Sequence, residues 1–156
     1  MKTIFKTSLL VVACLSYTLS MASSLNPMNP TYTTSVAFLD AEQQLIAAIK
    51  KNKMGLVSKA SATHGAASIG ITIRGNRVFG VFHPKFAVRM LAASVEAGIE
   101  APIRIYLYEN DDGTANITYK KPTDVFKPYG NEALDQMARE LDLIFSNIVR
   151  DVLQPK

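Results

Sequence analysis

Two histidines are the side chains in this sequence best suited to move a proton or bind a metal. His64 precedes Gly65 in a run of small residues, and His83 stands directly before Pro84 and Lys85. Imidazole changes its charge near neutral pH, so either residue could act as a general base. Two histidines with no cysteine beside them and no obvious third carboxylate make a weak metal site. We therefore expect no metal and no other cofactor.

His83 and Lys85 lie where a helix is predicted to begin. The unpaired N–H groups of a first helical turn attract anions such as phosphate, sulfate or a carboxylate. An ordinary helix cap with a solvated lysine explains the same residues, and we favour it because the loop lacks the glycines of a phosphate-binding loop. His64 has a similar double interpretation: a site residue in a loop, or a polar residue that caps the small-residue turn.

Arg104, Tyr106 and Tyr108 form the third candidate group. Ile103 to Glu109 alternates apolar and polar residues, which is the period of a half-buried strand, so these three side chains share its polar face. They could bind a ligand through cationic and aromatic contacts. A homodimer interface explains them better, because tyrosine and arginine are enriched at protein interfaces.

The elements that would position these residues follow from the local pattern. Val78 to Phe82 is a short apolar run typical of a strand, and a helix is predicted from Pro84 to near Gly98. Ile103 to Glu109 is the next strand. Asn110-Asp111-Asp112-Gly113 is a hairpin turn, and Thr114 to Lys120 returns as its antiparallel partner.

The chain before this centre predicts two strands and a helix. Thr31 to Phe38 is enriched in strand-forming residues. Asp40 and Gln43 have the spacing of a capping box for a helix that Gly55 would end. Leu56 to Thr63 is a second strand, and the small residues after it could form one helical turn or an open loop.

The chain after the centre predicts one long helix. Pro122 to Gly130 is a connector, and Asn131 can cap the helix that follows. Apolar residues then recur every three or four positions, which indicates a core-facing stripe: Leu134, Met137, Ala138, Leu141, Ile144, Phe145, Ile148, Val149 and Val152. Together these elements predict a single α+β domain over residues 31–156, a mostly antiparallel sheet with helices packed on one face.

Composition and charge limit the class of protein. With 156 residues, 48% of them hydrophobic and 19% charged, the chain has the composition of one folded globular domain. Lys2 and Lys6 belong to a predicted leader, and removing them from the 17 basic residues leaves 15 against 13 acidic ones. That excess gives no case for nucleic-acid binding, which needs a clustered basic face.

The first 22 residues have the features of a cleaved signal peptide. Lys2 and Lys6 are followed by a short apolar segment, and Ser20-Met21-Ala22 supplies the small residues before a cleavage site. We expect cleavage after Ala22, a spacer over residues 23–30 and a periplasmic protein. The apolar segment is too short to stay as an anchor, and no later stretch could span a membrane.

Cys14 allows a different export route. Val11-Val12-Ala13-Cys14 loosely matches the sequence before a lipidated cysteine, but the apolar run before it is short and the residues after it stay apolar, so a lipoprotein is the less favoured interpretation. Cys14 is the only cysteine. After cleavage at Ala22 the chain could form no disulfide and use no cysteine nucleophile.

Several of these motifs, in their order and spacing, resemble the family known as domain of unknown function 302. The resemblance covers Thr33 to Val152 and is carried by five segments: His64-Gly-Ala-Ala, Val78 to Lys85, Ala101 to Glu109, Asp112-Gly113, and Tyr119 to Pro122. It implies a small exported bacterial protein with a compact α+β fold, plausibly a dimer, and no established reaction. Thr63 stands where the family pattern usually has Asp, and His83 where it usually has Asn, so an Asp–His pair acting as an oriented base is absent.

Two functions from different classes follow. The first, which we prefer, is a non-enzymatic exported module that binds a small anionic or apolar ligand, or a partner, as a homodimer. The second is a small hydrolase or isomerase in which His64 is the general base and Lys85 or Arg104 holds an oxyanion.

Overall fold

A computed structural model describes residues 29–154 of the chain. The predicted leader, its cleavage after Ala22 and the alternative at Cys14 lie outside the described residues. Within that part of the chain, no helix is long and apolar enough to cross a membrane.

Five strands form one antiparallel sheet in the order β1-β5-β4-β3-β2. The strands are β1 (Thr31–Ala37), β2 (Gly55–Ala60), β3 (Asn76–Phe82), β4 (Ile103–Glu109) and β5 (Thr114–Tyr119). The helices are α1 (Phe38–Lys51), α2 (Ala62–Ser68), α3 (Pro84–Ala93), α4 (Pro122–Phe126) and α5 (Glu132–Leu153), with short 3-10 helices at Glu96–Glu100 and Lys127–Tyr129. The predicted α+β class is confirmed.

The core lies between one face of the sheet and the helices α1 and α5. Phe79, Ile105 and Ile117 point from three adjacent strands to this face and are completely buried. Burying a side chain of this size stabilises the fold by about 1.5–3 kcal/mol. The predicted alternation along β4 and β5 is therefore confirmed, and its polar positions are left on the opposite face.

Helix α5 begins and packs as its sequence predicts. The Asn131 side-chain oxygen accepts hydrogen bonds from the N–H groups of Ala133, at 2.9 Å, and Leu134, at 3.2 Å. Every residue of the predicted stripe is buried except Ile144, which is half-buried. The cap fixes where the helix starts, and the stripe fixes which side faces the sheet.

Helix α1 begins two residues before the predicted cap. Ala37 is its N-cap residue without a side-chain hydrogen bond, so the predicted capping box at Asp40 and Gln43 is wrong. The Phe38 N–H donates to the Gly113 carbonyl at 3.1 Å, and the Phe38 ring is buried. This tertiary contact places the helix start earlier than the local pattern would.

Two other predicted boundaries were wrong, both at the ends of helices. Helix α1 ends at Lys51, and Gly55 begins β2 instead of ending the helix. Helix α3 ends at Ala93, not near Gly98, because Ser94 has an extended backbone. The Ser94 hydroxyl accepts the Ala97 N–H at 3.4 Å, at the start of a separate 3-10 helix.

The second predicted strand ends three residues early. Strand β2 stops at Ala60 and α2 follows, capped by the Ser61 hydroxyl, which accepts the His64 N–H at 3.1 Å. His64 therefore lies in a short helix and not at the end of a strand.

Candidate functional site

The sheet face opposite α1 and α5, here called the open face, carries the predicted group of Arg104, Tyr106 and Tyr108. In the sheet register Tyr106 lies between Val78 of β3 and Thr118 of β5. Arg104 and Tyr106 are exposed, and Tyr108 is half-buried. The structure thus places the three side chains on one accessible surface, as the sequence predicted.

The two tyrosines are ordered against each other. Their rings stack at 5.2 Å between centroids with an angle of 24° between ring planes. Beside them, the Arg104 guanidinium makes no hydrogen bond or ion pair with any residue in the 29–154 range. A cation and a flat aromatic surface are therefore both available to a ligand or a partner.

Two grooves run along the open face on either side of Arg104. The larger has a volume of about 430 Å³, and its walls include Ser58, Val78, Ile99 and Pro102. The smaller has a volume of about 190 Å³, and its walls include Tyr106, Thr118 and Lys120. Arg104 and Glu100 line both grooves, so each groove has a cation and an anion in its wall.

One end of the open face is fixed by a network of polar side chains. The Thr33 hydroxyl donates to the Asn116 side-chain oxygen at 2.7 Å, and the Asn116 amide donates to the Asn110 side-chain oxygen at 2.5 Å. This network links β1, β5 and the hairpin turn. These side chains find their hydrogen-bond partners within the protein, so we assign the network a structural role in holding the open face.

The structure does not bring the two histidines together. Helix α2, with His64, packs at the start of β3, where the Thr63 hydroxyl accepts the Asn76 N–H at 3.0 Å. His83 follows the last residue of β3. A seven-residue strand spans roughly 20 Å at about 3.3 Å per residue, so His64 and His83 lie at opposite ends of it. In the described part of the chain, no three His, Cys, Asp or Glu side chains are grouped to hold a metal ion.

His83 acts as a helix cap. Its Nδ1 atom accepts the Lys85 N–H at 3.1 Å, and its ring packs edge-on against Phe86 with centroids 5.9 Å apart. Lys85 is exposed and forms no ion pair with the other described residues. This geometry is that of the ordinary cap with a solvated lysine.

His64 is exposed in α2, and its backbone N–H is used by the Ser61 cap. No carboxylate among residues 29–154 hydrogen-bonds to its ring. The orienting partner that a general base normally has is therefore missing from the geometry around His64.

Sequence reasoning missed a cluster of three charges between α1 and the sheet, in which Glu42 and Arg77 are buried and Lys59 is exposed. One Glu42 oxygen lies 3.0 Å from Lys59 Nζ and the other 3.3 Å from Arg77 Nε. Arg77 also donates through Nη1 to the Ser61 hydroxyl at 2.8 Å, and its guanidinium lies 5.3 Å from the centre of the Phe38 ring.

The sequence contained a signal for this cluster. Glu42 occupies a core position on the buried stripe of α1, four residues after Phe38. Arg77 has the same parity as buried Phe79 and Val81 in β3. A charged residue at a predicted core position needs a buried partner. Glu42 and Arg77 are both charged residues at positions where the pattern predicts apolar ones, and they are each other's partners.

Comparison with known proteins gives one family and one fold. The family described as domain of unknown function DUF302 matches residues 30–152. The crystal structure of an uncharacterized conserved DUF302 protein from Bacillus stearothermophilus is similar, with a TM-score of 0.73 and 20% identity over 82% of this chain and 99% of that chain. At that identity the similarity shows a shared fold. Among proteins with curated descriptions, none matches the chain.

Proposed function

We propose that this chain, which belongs to the DUF302 family, is an exported, non-enzymatic binding module that acts as a homodimer. The family description assigns no reaction, so the proposal is argued from the geometry of the open face. The observation that carries the proposal is the unpaired Arg104 beside the stacked Tyr106 and Tyr108 on that accessible face. In the homodimer, the open faces of two copies meet.

The residue types on and beside the open face support an interface. Tyrosine and arginine are enriched in the centres of protein interfaces, because they combine a large apolar area with hydrogen-bonding groups. Ile99, at the edge of the larger groove, exposes 82% of its surface. An apolar side chain that is exposed next to such residues favours a contact that removes it from water.

Charge complementarity supports a second copy as the partner. A twofold dimer places the same surface on both subunits, so a surface with both a cation and an anion can pair with itself. Arg104 and Glu100 line the same two grooves. Glu100 accepts a hydrogen bond from the Tyr129 hydroxyl at 3.1 Å through one oxygen, and its second oxygen remains for the guanidinium of the other copy.

The size of the face limits the arrangement. Five strands at about 4.8 Å spacing and seven residues at about 3.3 Å rise give a face of roughly 550 Å². A stable interface takes about 800 Å² from each partner. The contact therefore has to extend beyond the strands, and we place Ile99 and the 3-10 helix that carries it inside the interface.

The other predicted ligand residues have less support in this proposal. His83 already uses Nδ1 in its helix cap, Lys85 is solvated and His64 is exposed in α2. Either histidine, or Lys85, would contribute to ligand binding only at a place separate from the dimer contact.

No observation favours the enzymatic alternative. His64 lies at one end of β3 and Lys85 beyond the other, and Arg104 projects from the open face. A general base and the group that holds an oxyanion have to reach the same reacting centre, within about 3 Å of its atoms. His64 and Lys85, which are separated by roughly the length of a strand, do not meet that condition.

Sedimentation velocity over a concentration series tests the dimer. We expect the chain from Ser23 to sediment as a dimer, and Arg104→Glu to weaken the association at least about tenfold because it opposes like charges. Adding Glu100→Arg to Arg104→Glu should restore it, because the exchanged charges are complementary again. Arg139→Glu, an exposed residue of α5 with the same charge change, is the matched control.

Three results would count against the proposal. A wild-type chain that stays monomeric at every concentration removes it. An Arg104→Glu variant that dimerises like Arg139→Glu moves the interface away from the open face. Loss of dimer in the single variant without recovery in the double variant refutes the pairing of Arg104 with Glu100.

A further inference from the structure

A third groove lies at the rim of the sheet, on the side of the core and away from the open face. It has a volume of about 380 Å³, and we call it the rim groove. The side chains that line it and matter here are Phe38, Leu39, Thr63, Ile73, Arg77 and Glu109. Most of its wall is apolar, with one cation and one anion.

Arg77 is buried in the wall of this groove with donors to spare. Its side chain is 8% exposed. The Nη1 atom donates to the Ser61 hydroxyl and the Asn76 carbonyl, whereas Nε makes no hydrogen bond despite lying 3.3 Å from a Glu42 oxygen. Nη2 has no partner within residues 29–154. Nε is completely enclosed and faces Glu42, whereas Nη2 stays accessible to solvent and is the donor that a ligand oxygen can reach.

Glu109 supplies the opposite charge a short distance away. One of its oxygens accepts the Gly75 N–H at 2.6 Å, and the other has no hydrogen-bond partner in the described part of the chain. Gly75 lies opposite Glu109 and two residues before Arg77, so the two charged residues are diagonal neighbours on one face, roughly 7–8 Å apart.

Phe38 keeps the two charges from pairing. Its ring packs on Gly75, where an added Cβ atom would lie 2.5 Å from ring atom Cδ1, and the same ring lies beneath the Arg77 guanidinium. Arg77 faces Glu42 instead, and residues 29–154 contain no ion pair between Arg77 and Glu109. The groove therefore presents a separated cation and anion above an aromatic floor.

We propose that the rim groove binds a small zwitterion with an apolar side chain, of the class of the free apolar α-amino acids. The ligand carboxylate hydrogen-bonds to Arg77, its ammonium group pairs with the free oxygen of Glu109, and its side chain packs on Phe38, Leu39 and Ile73. This assignment explains why Leu39 and Ile73 stay exposed, at 64% and 39%, beside buried charges. It goes beyond the proposed homodimer, because the rim groove is separate from the open face.

Titration of the purified protein followed by amide NMR tests this ligand class. The three probes share an apolar chain and differ in charge. L-norleucine carries both charges, hexanoate carries only the anion and hexylamine carries only the cation. We expect norleucine to shift the Gly75 and Thr63 amides and to bind at least about tenfold more tightly than either single-charge probe, the effect of one hydrogen bond to a charged group.

Variants separate the two charged contacts. Arg77→Met and Glu109→Gln should each weaken norleucine binding at least about tenfold, and Glu109→Gln keeps an oxygen for the Gly75 N–H, so its fold is the safer of the two. Arg139→Met, on the exposed side of α5, is the matched control and should leave the affinity unchanged. If Arg77→Met does not fold, Glu109→Gln alone decides.

The outcomes are distinct from those of the dimer test. Equal binding of hexanoate and norleucine, unchanged binding by Glu109→Gln, or no shift with any probe overturns the proposal. Sedimentation of the same samples reports the homodimer independently, so a dimer without ligand refutes the rim groove alone, and a ligand-binding monomer refutes the open-face interface alone.

Discussion

Replacing Glu42 by glutamine tests the buried charge cluster most directly. The side chain keeps its size and shape, so the packing of α1 on the sheet is preserved. Glu42 is 4% exposed and Arg77 7% exposed, and Glu42 is the acidic partner of both Arg77 and Lys59. The change leaves a buried guanidinium without its counter-charge.

We expect Glu42→Gln to lower the free energy of unfolding by about 3 kcal/mol. Removing one partner of a buried ion pair typically costs about 3–5 kcal/mol, because the other charge stays desolvated. The glutamine oxygen can still accept one hydrogen bond, which places the effect at the lower end of that range. For a domain of this size the melting temperature should fall by roughly 10 °C.

Urea unfolding followed by far-ultraviolet circular dichroism measures this effect. Glu140→Gln is the matched control, because it removes a carboxylate that makes two hydrogen bonds with Arg89, at 2.6 and 2.8 Å, on the surface. Exposed ion pairs contribute little, so the control should change the midpoint far less than Glu42→Gln. The double variant Glu42→Leu with Arg77→Met should recover most of the loss, because it removes both buried charges together.

One result would refute this reasoning. If Glu42→Gln and Glu140→Gln shift the urea midpoint equally, the Arg77 guanidinium is solvated in solution and the cluster is not desolvated. The rim groove would then lose the desolvated cation on which its ligand class rests.

Three further predictions concern the cap, one titration and one close contact. Asn131→Ala should lower the free energy of unfolding by about 1 kcal/mol, the usual cost of an N-cap, measured by urea unfolding against Gln136→Ala on the exposed side of the same helix. Burial raises the pKa of Tyr119 from its ordinary value of 10 to about 12, so the stability that the neutral hydroxyl contributes is fully present below pH 10 and is lost as the pH rises toward 12. Thermal melts from pH 9 to 11.5 should show this decline in stability, and the Tyr119→Phe variant should show a smaller decline. Gly80→Val should cost about 1–3 kcal/mol in a urea titration, because even a Cβ atom there would lie 2.9 Å from Pro102 Cγ, whereas Gly65→Val, in open space, should lose none of this packing energy.

The sequence predicted the elements whose determinants are local. Three such features are confirmed: the Asn131 cap, the apolar repeat of α5 and the alternation along β4. Each depends on residues that are close to one another in sequence. The hairpin turn belongs to the same group, since Gly113 adopts a positive φ of 82°, which glycine tolerates best.

The predicted element boundaries are wrong where a contact with a distant part of the chain sets the boundary. The start of α1 is set by the bond from the Phe38 N–H to the Gly113 carbonyl, which joins residues far apart in sequence. The end of β2 is set at Ser61, whose hydroxyl both caps α2 and accepts a hydrogen bond from Arg77. Neither contact leaves a mark in the local pattern.

The candidate sites divide in the same way. The accessible group of Arg104, Tyr106 and Tyr108 followed from strand alternation alone. The separation of His64 from His83 depends on the position of α2 against β3, which spacing along the chain cannot give. The rim groove was missed because Arg77 and Glu109 meet only through the pairing of β3 with β4.

The place of β1 in the sheet has a consequence for how the protein is made. Among the described residues its only strand partner is β5, and Thr33 and Asn116 lie 83 positions apart in sequence across that pair. At about 5–20 residues per second, a ribosome takes several seconds to supply the missing strand, and longer to supply α5. During that time the newly made amino-terminal half has no surface on which to complete its sheet. The carboxy-terminal segments β5 and α5 therefore control when the whole sheet can fold.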